Sequence, residues 1–193
     1  RLRGLNNHKF GDPFAAFSGK YELIKSFDQQ TLLVQYPYKP IDILDNDQVG
    51  IHVYNKNLKE IWSKKIEMSH PASLINYLSY SVDNVGNVYI LSEVFKNGTT
   101  KRKNKLGQSN SIFELTRISA DDQSVLVSPI ELNNNIINDV GVFEGKNSEI
   151  IIVGYSGKHN NDETDGVFTI ELDDDGTILK KTIIEIPLEI LSK

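Results

Sequence analysis

The chain has 193 residues, 39% of them hydrophobic and 24% charged, with 26 acidic and 21 basic side chains and a formal net charge of -5; this is the composition of one globular domain, able to bury roughly 70% of the surface its unfolded form exposes. It contains no cysteine, which excludes disulfides, zinc–thiolate centres, iron–sulfur clusters and thiol nucleophiles. No run approaches the ~18 consecutive apolar residues of a membrane span, and a mild negative charge without a long basic stripe argues against nucleic acid as a partner.

Residues 1–19 read as an N-terminal extension, with Phe10, Phe14 and Phe17 its large apolar side chains and a short helical turn over 13–17 the only helix expected. From about residue 20 onward, apolar and polar residues alternate over short stretches broken by Asn, Asp and Gly, which is strand-and-turn punctuation. Residues 21–27 and 31–36 form a first hairpin, and 49–55 and 59–68 a second around Lys56-Asn57-Leu58. Residues 76–83 and 88–94 join across Asn84-Val85-Gly86-Asn87, where the Gly-Asn pair supplies positive φ. Residues 112–118 and 124–132 follow across a turn at 120–123. Residues 138–144 and 149–155 turn at Gly145-Lys146-Asn147, and 166–172 and 177–186 turn at Asp173-Asp174-Asp175-Gly176. The expectation is an all-β domain over 20–193, made of antiparallel four-stranded units at about 20–68, 75–132 and 137–187. Three copies of one supersecondary unit are the signature of a repeat architecture.

A four-stranded antiparallel unit at this period resembles the blade of a β-propeller. The likeness rests on Asp83-Asn84-Val85-Gly86-Asn87-Val88-Tyr89 and Leu172-Asp173-Asp174-Asp175-Gly176; it is to six-bladed propellers of the NHL and TolB type and covers residues 20–187 in outline. Residues 53–62 followed by 82–91 also look like a group of bacterial envelope propeller proteins. The first unit departs from the pattern at Asp28-Gln29-Gln30, which lacks glycine, and neither a WD dipeptide nor a kelch double glycine occurs, so WD40 and kelch functions do not transfer. The resemblance, together with a first residue other than methionine, implies a cell-envelope location, periplasmic or secreted. Propellers have four to eight blades, so three units imply part or half of a ring, completed by further blades or by a homodimer, or else an open array whose strand edges need cover. Residues 1–18 are candidates for that cover.

In a blade the first-to-second and third-to-fourth turns share one end, and the second-to-third loops leave from the other. The former are tight, whereas residues 37–48, 96–110 and 156–165 form long polar loops, the usual place for binding function. Lys101, Arg102 and Lys103, with Lys105, form a basic cluster suited to an anionic glycan or phosphate. His70, Asp139 and His159 are candidates for a polar pocket on the same end, while His52 reads as a satisfied strand histidine. Asp42, Asp45, Asn46 and Asp47 before Gly50 offer oxygen ligands for calcium, but the twelfth position from Asp45 is Lys56, so they read as a solvated acidic turn. Asn97-Gly98-Thr99 is a glycosylation acceptor pattern that a plain turn also satisfies. The aromatics Tyr77, Tyr80, Tyr89, Phe113, Phe143, Tyr155 and Phe168 are assigned to the core between units. No catalytic motif, metal site or cofactor site is recognisable. The expectation is therefore a non-catalytic binding or scaffold module offering one loop-rich end to a protein or glycan. The alternatives are a propeller glycoside hydrolase or lyase using Asp139 or Asp165, and a structural fragment of a larger propeller.

Overall fold

The computed structural model describes residues 21–38, 44–96, 98, 109–132, 135–146, 149–158, 164–173 and 175–191. Their strands run up and down in three sheets. The first holds β1 (Glu22–Lys25), β2 (Thr31–Tyr38), β3 (Asn46–Asn55) and β4 (Glu60–Pro71). The second holds β5 (Ile75–Val82), β6 (Val88–Phe95), β7 (Ser111–Ile118) and β8 (Val125–Ile130). The third holds β9 (Asn135–Glu144), β10 (Ile150–Lys158), β11 (Gly166–Leu172) and β12 (Ile178–Glu185), and a single-turn helix α1 (Leu188–Leu191) follows. Every sheet keeps chain order and every pairing is antiparallel, so the chain is all-β and built of blade-like four-stranded repeats.

Several strands run further than the apolar alternation does. Tyr38 pairs with Gln48 and Asn46 with Pro71, so the polar run Asn46-Asp47-Gln48 belongs to β3 rather than to a loop. A ladder satisfies backbone N–H and C=O groups whatever the side chains are, and alternation cannot report that.

The sheets stack with the second in the middle, and β6 shows why. Its residues Val88 to Val94 are all buried, as befits a strand covered on both faces. Val88 and Ile90 point into a core shared with Leu33, Ile51, Val53, Trp62 and Ile66 of the first sheet. Tyr89 and Leu91 point the other way, into a core shared with Val142, Ile152, Phe168 and Ile170 of the third. The first strands of the units run side by side, β5 touching both β1 and β9, and the Val142 amide of β9 donates to Ser79 Oγ of β5 at 2.9 Å.

The outer faces of the stack differ from the sequence expectation. Tyr77, Tyr80, Tyr89, Phe113 and Phe168 do pack in the cores. Phe143 and Tyr155 do not: they are 55% and 49% exposed. Alternation along β9 and β10 turns them away from Val142 and Ile152, onto the side of the third sheet that no other described sheet covers.

Five of the tight turns share one construction. Ser26, Asn55, Asp83 and Asp173 each accept a hydrogen bond on the backbone carbonyl from the third residue on, and Ser119 from the fourth. That later residue is left-handed each time: Gln29, Leu58, Gly86, Gly176 and Gln123. Asp83 is the most elaborate case. Its Oδ1 accepts the amides of Val85, Gly86 and Asn87, while Oδ2 accepts Asn87 Nδ2 and the Tyr89 hydroxyl. These turns also lock the sheets together, since Trp62 Nε1 of β4 donates to the Gly86 carbonyl at 3.0 Å and Lys64 Nζ to that of Gln123 at 2.8 Å.

Candidate functional site

Three connections, β2–β3, β6–β7 and β10–β11, leave from the end opposite the tight turns, together with the crossovers β4–β5 and β8–β9. Lys101, Arg102, Lys103, Lys105, His159, Asp42 and Asn97 lie outside the described residues, as does the extension 1–19. What is described at this end is the polar rim on which those connections stand.

On the seam between the first and second sheets, His70 at the end of β4 reaches β7, its Nε2 lying 2.9 Å from Glu114 Oε2. Beside it the Tyr77 hydroxyl of β5 donates to Asp47 Oδ2 of β3 at 2.7 Å. Burial, reinforced by that carboxylate acceptor, pushes the Tyr77 hydroxyl well above the usual phenol range, so it stays a neutral donor. Asp47 is thus a buried structural acceptor and not part of a solvated turn. Asn46 points elsewhere, its Nδ2 towards Glu67 at 3.4 Å, because neighbouring strand residues face opposite ways. Among the described residues no group of three His, Asp or Glu side chains could hold a metal ion.

The second sheet carries two carboxylates near this end. Glu93 is 1% exposed and accepts from Ser111 Oγ at 2.8 Å. Glu114 pairs across the strands with Ser92, and Glu93 with Phe113, so Glu93 and Glu114 project from opposite faces of the sheet. A glycosidic bond needs two carboxyl groups flanking it within about 5–9.5 Å on one site, and these two are divided by their own sheet.

Asp139 belongs to β9 in the third sheet, exposed next to its cross-strand partner Tyr155, with Oδ1 accepting the neighbouring Val140 amide at 2.9 Å. His70 is engaged at the seam between the first and second sheets, and no described contact joins the two. On the third sheet the rim is fixed by Asn138 Nδ2, which donates to Thr164 Oγ1 at 3.1 Å. Glu114 and Glu93 were not marked out in the sequence, and Asp47 was read there only as one member of an acidic turn; Glu93 alone carries a signal, a charged residue inside the mostly apolar run of β6. In sequence the chain matches no protein-family model and no curated protein.

Proposed function

We propose that the chain is a non-catalytic binding module: three blades, part or half of a β-propeller, whose long-loop end engages a protein or a glycan in the cell envelope, periplasm or extracellular space. The observation that carries this reading is the asymmetry of the two ends. One is closed by hydrogen-bonded turns that dock on neighbouring sheets, and the other carries the long β6–β7 connection over 96–110, beside the shorter β2–β3 and β10–β11 connections over 39–45 and 159–165. Long polar loops on a rigid scaffold adapt to partners, while tight turns offer little side-chain surface. The side-by-side course of β1, β5 and β9 supports the blade reading, since innermost strands of a propeller meet around its axis. His70, Asp47, Glu93 and Glu114 act in this reading as the braced rim beneath the loops.

The basic cluster tests it with heparin as an anionic glycan probe. Replacing Lys101, Arg102, Lys103 and Lys105 together with serine should leave the melting temperature unchanged, because exposed charges contribute little to stability, and should weaken retention on heparin in a salt-sensitive way. Lys56→Ser and Asp122→Ser at the turn end should do neither. Retention lost with the turn variants and kept with the loop variant would assign the functional end the other way round.

A further inference from the structure

The first sheet has an outer face, turned away from the second, that carries a row of rings. Val53, Ile51 and Leu33 point inward, so alternation places Tyr54, His52, Gly50 and Tyr36 outward. Tyr36 pairs directly with Gly50 across β2 and β3, and a Cβ at Gly50 would come within 2.3 Å of the Tyr36 ring. The absence of a side chain at Gly50 is what leaves room for that ring over the strand. His52 continues the row at 5.7 Å from Tyr36 with a 24° tilt, and Tyr54 follows at 6.2 Å with a 10° tilt. Tyr21 and Tyr38 flank Tyr36 at 5.7 and 5.4 Å.

The rings are held by hydrogen bonds along the face. His52 Nδ1 lies 2.8 Å from Glu60 Oε2 and its Nε2 3.2 Å from the Tyr36 hydroxyl, while Ser63 Oγ donates to Glu60 Oε1 at 2.8 Å. The His52 contact holds the Glu60 carboxyl below its ordinary range, keeping it an ionised acceptor. Lys65 Nζ sits 4.6 Å above the Tyr38 ring.

The faces that do meet another sheet are different at the matching positions. Counting back from the turns that open at Asn55, Ser119 and Asp173, His52 and Tyr54 correspond to Thr116 and Ile118 in the second sheet and to Ile170 and Leu172 in the third. Three aliphatic side chains and a threonine serve where sheets stack, and a hydrogen-bonded Tyr–His–Glu chain stands where water has access.

We infer that this face is a platform for an extended neutral polysaccharide, with Tyr36, His52 and Tyr54 stacking on the C–H faces of successive sugar rings. The ring spacing is about that of consecutive pyranose units along an extended glycan, and a sugar hydroxyl can both donate to Glu60 and accept from Lys65. Pre-organisation by the Tyr36–His52–Glu60 chain limits the ordering that binding would otherwise require. A bound peptide would instead use a sheet edge or an aromatic groove, and this surface is a flat face. The inference does not depend on the loop end.

The test is affinity electrophoresis of the full chain through gels containing mixed-linkage β-glucan, xylan or galactomannan, alongside heparin. At least one neutral polysaccharide should retard the chain. Tyr54→Ala should weaken that retardation about tenfold, Tyr54→Phe should preserve it, and the serine variant of the basic cluster should leave it unchanged. Circular dichroism and Trp62 fluorescence establish that each variant is folded. The inference is overturned if no neutral polysaccharide retards the chain, if Tyr54→Ala is retarded like the parent, if heparin alone binds, or if the chain sediments as a dimer that Tyr54→Ala dissociates.

Discussion

Leu58 closes the β3–β4 turn at φ 58°, the corner that Gly86 fills at φ 97° between β5 and β6. A left-handed backbone costs a residue with a Cβ roughly 1–2 kcal/mol, and glycine gives back about half of that through its unfolded-state entropy. Leu58 is 71% exposed, so Leu58→Gly should raise stability by about 0.5 kcal/mol in urea melts. Gly86→Val should lower it by about 1 kcal/mol or more, since its Cβ would also stand 3.3 Å from Val53 Cγ1. Equal losses in both variants would show that contacts and not φ decide these corners. At the same end Glu144 accepts the Phe27 amide, tying the third sheet to the first turn. Burial raises its carboxyl above the ordinary 4.5. The folded state therefore holds that proton more tightly, and the associated stability is complete below 4.5 and lost as pH rises through the raised value. Glu144→Gln keeps an acceptor and removes the titration, so its urea midpoint should vary less with pH across this range than that of the parent; an unchanged slope would exclude Glu144 as the source.

Strands differ in what they bury. β6 is covered on both faces, whereas β4, β8 and β12 form the outer edges. Leu91→Ala on β6 should cost about 3 kcal/mol, the usual loss for a buried leucine, while Leu126→Ala on the half-exposed β8 should stay within about 1 kcal/mol. Equal losses would mean that Leu126 is as buried as Leu91. Lys64 and Lys65 on β4, Pro129 on β8, and Lys180 and Lys181 on β12 stand on these edges, residue types that discourage another chain from adding a strand. One cross-strand position records the three environments. It holds Tyr36 and Gly50 on the open face, Ser92 and Glu114 on the first seam, and Gly154 and Phe168 on the second.

Both cores include the second sheet. Loss of that sheet would strip an apolar face from each of the others, so the domain should unfold as one cooperative unit. Trp62, the single tryptophan, reports the first seam, and far-ultraviolet circular dichroism reports the strands of all three described sheets. Their urea transitions should coincide; a fluorescence change that precedes the dichroism change would mean that the first sheet leaves independently.

Strand class, the three units and the tight turns were legible in the sequence, because alternation and turn residues act over a few neighbouring positions. Gly86 and Gly176 announced their corners, and Leu58, Gln29 and Gln123 did not, since their left-handed backbones are imposed by the hydrogen-bonded turn and not by residue type. The ends of β3 and β4 were hidden because a backbone ladder tolerates polar side chains. Only the tertiary structure decided which aromatics are core. Phe143 and Phe168 look alike along their strands, but one faces water and the other a neighbouring sheet. The pairings of His70 with Glu114, Tyr77 with Asp47 and Tyr36 with His52 were equally out of reach. Each depends on how strands register or sheets stack, and that order is fixed by packing between residues far apart in the chain.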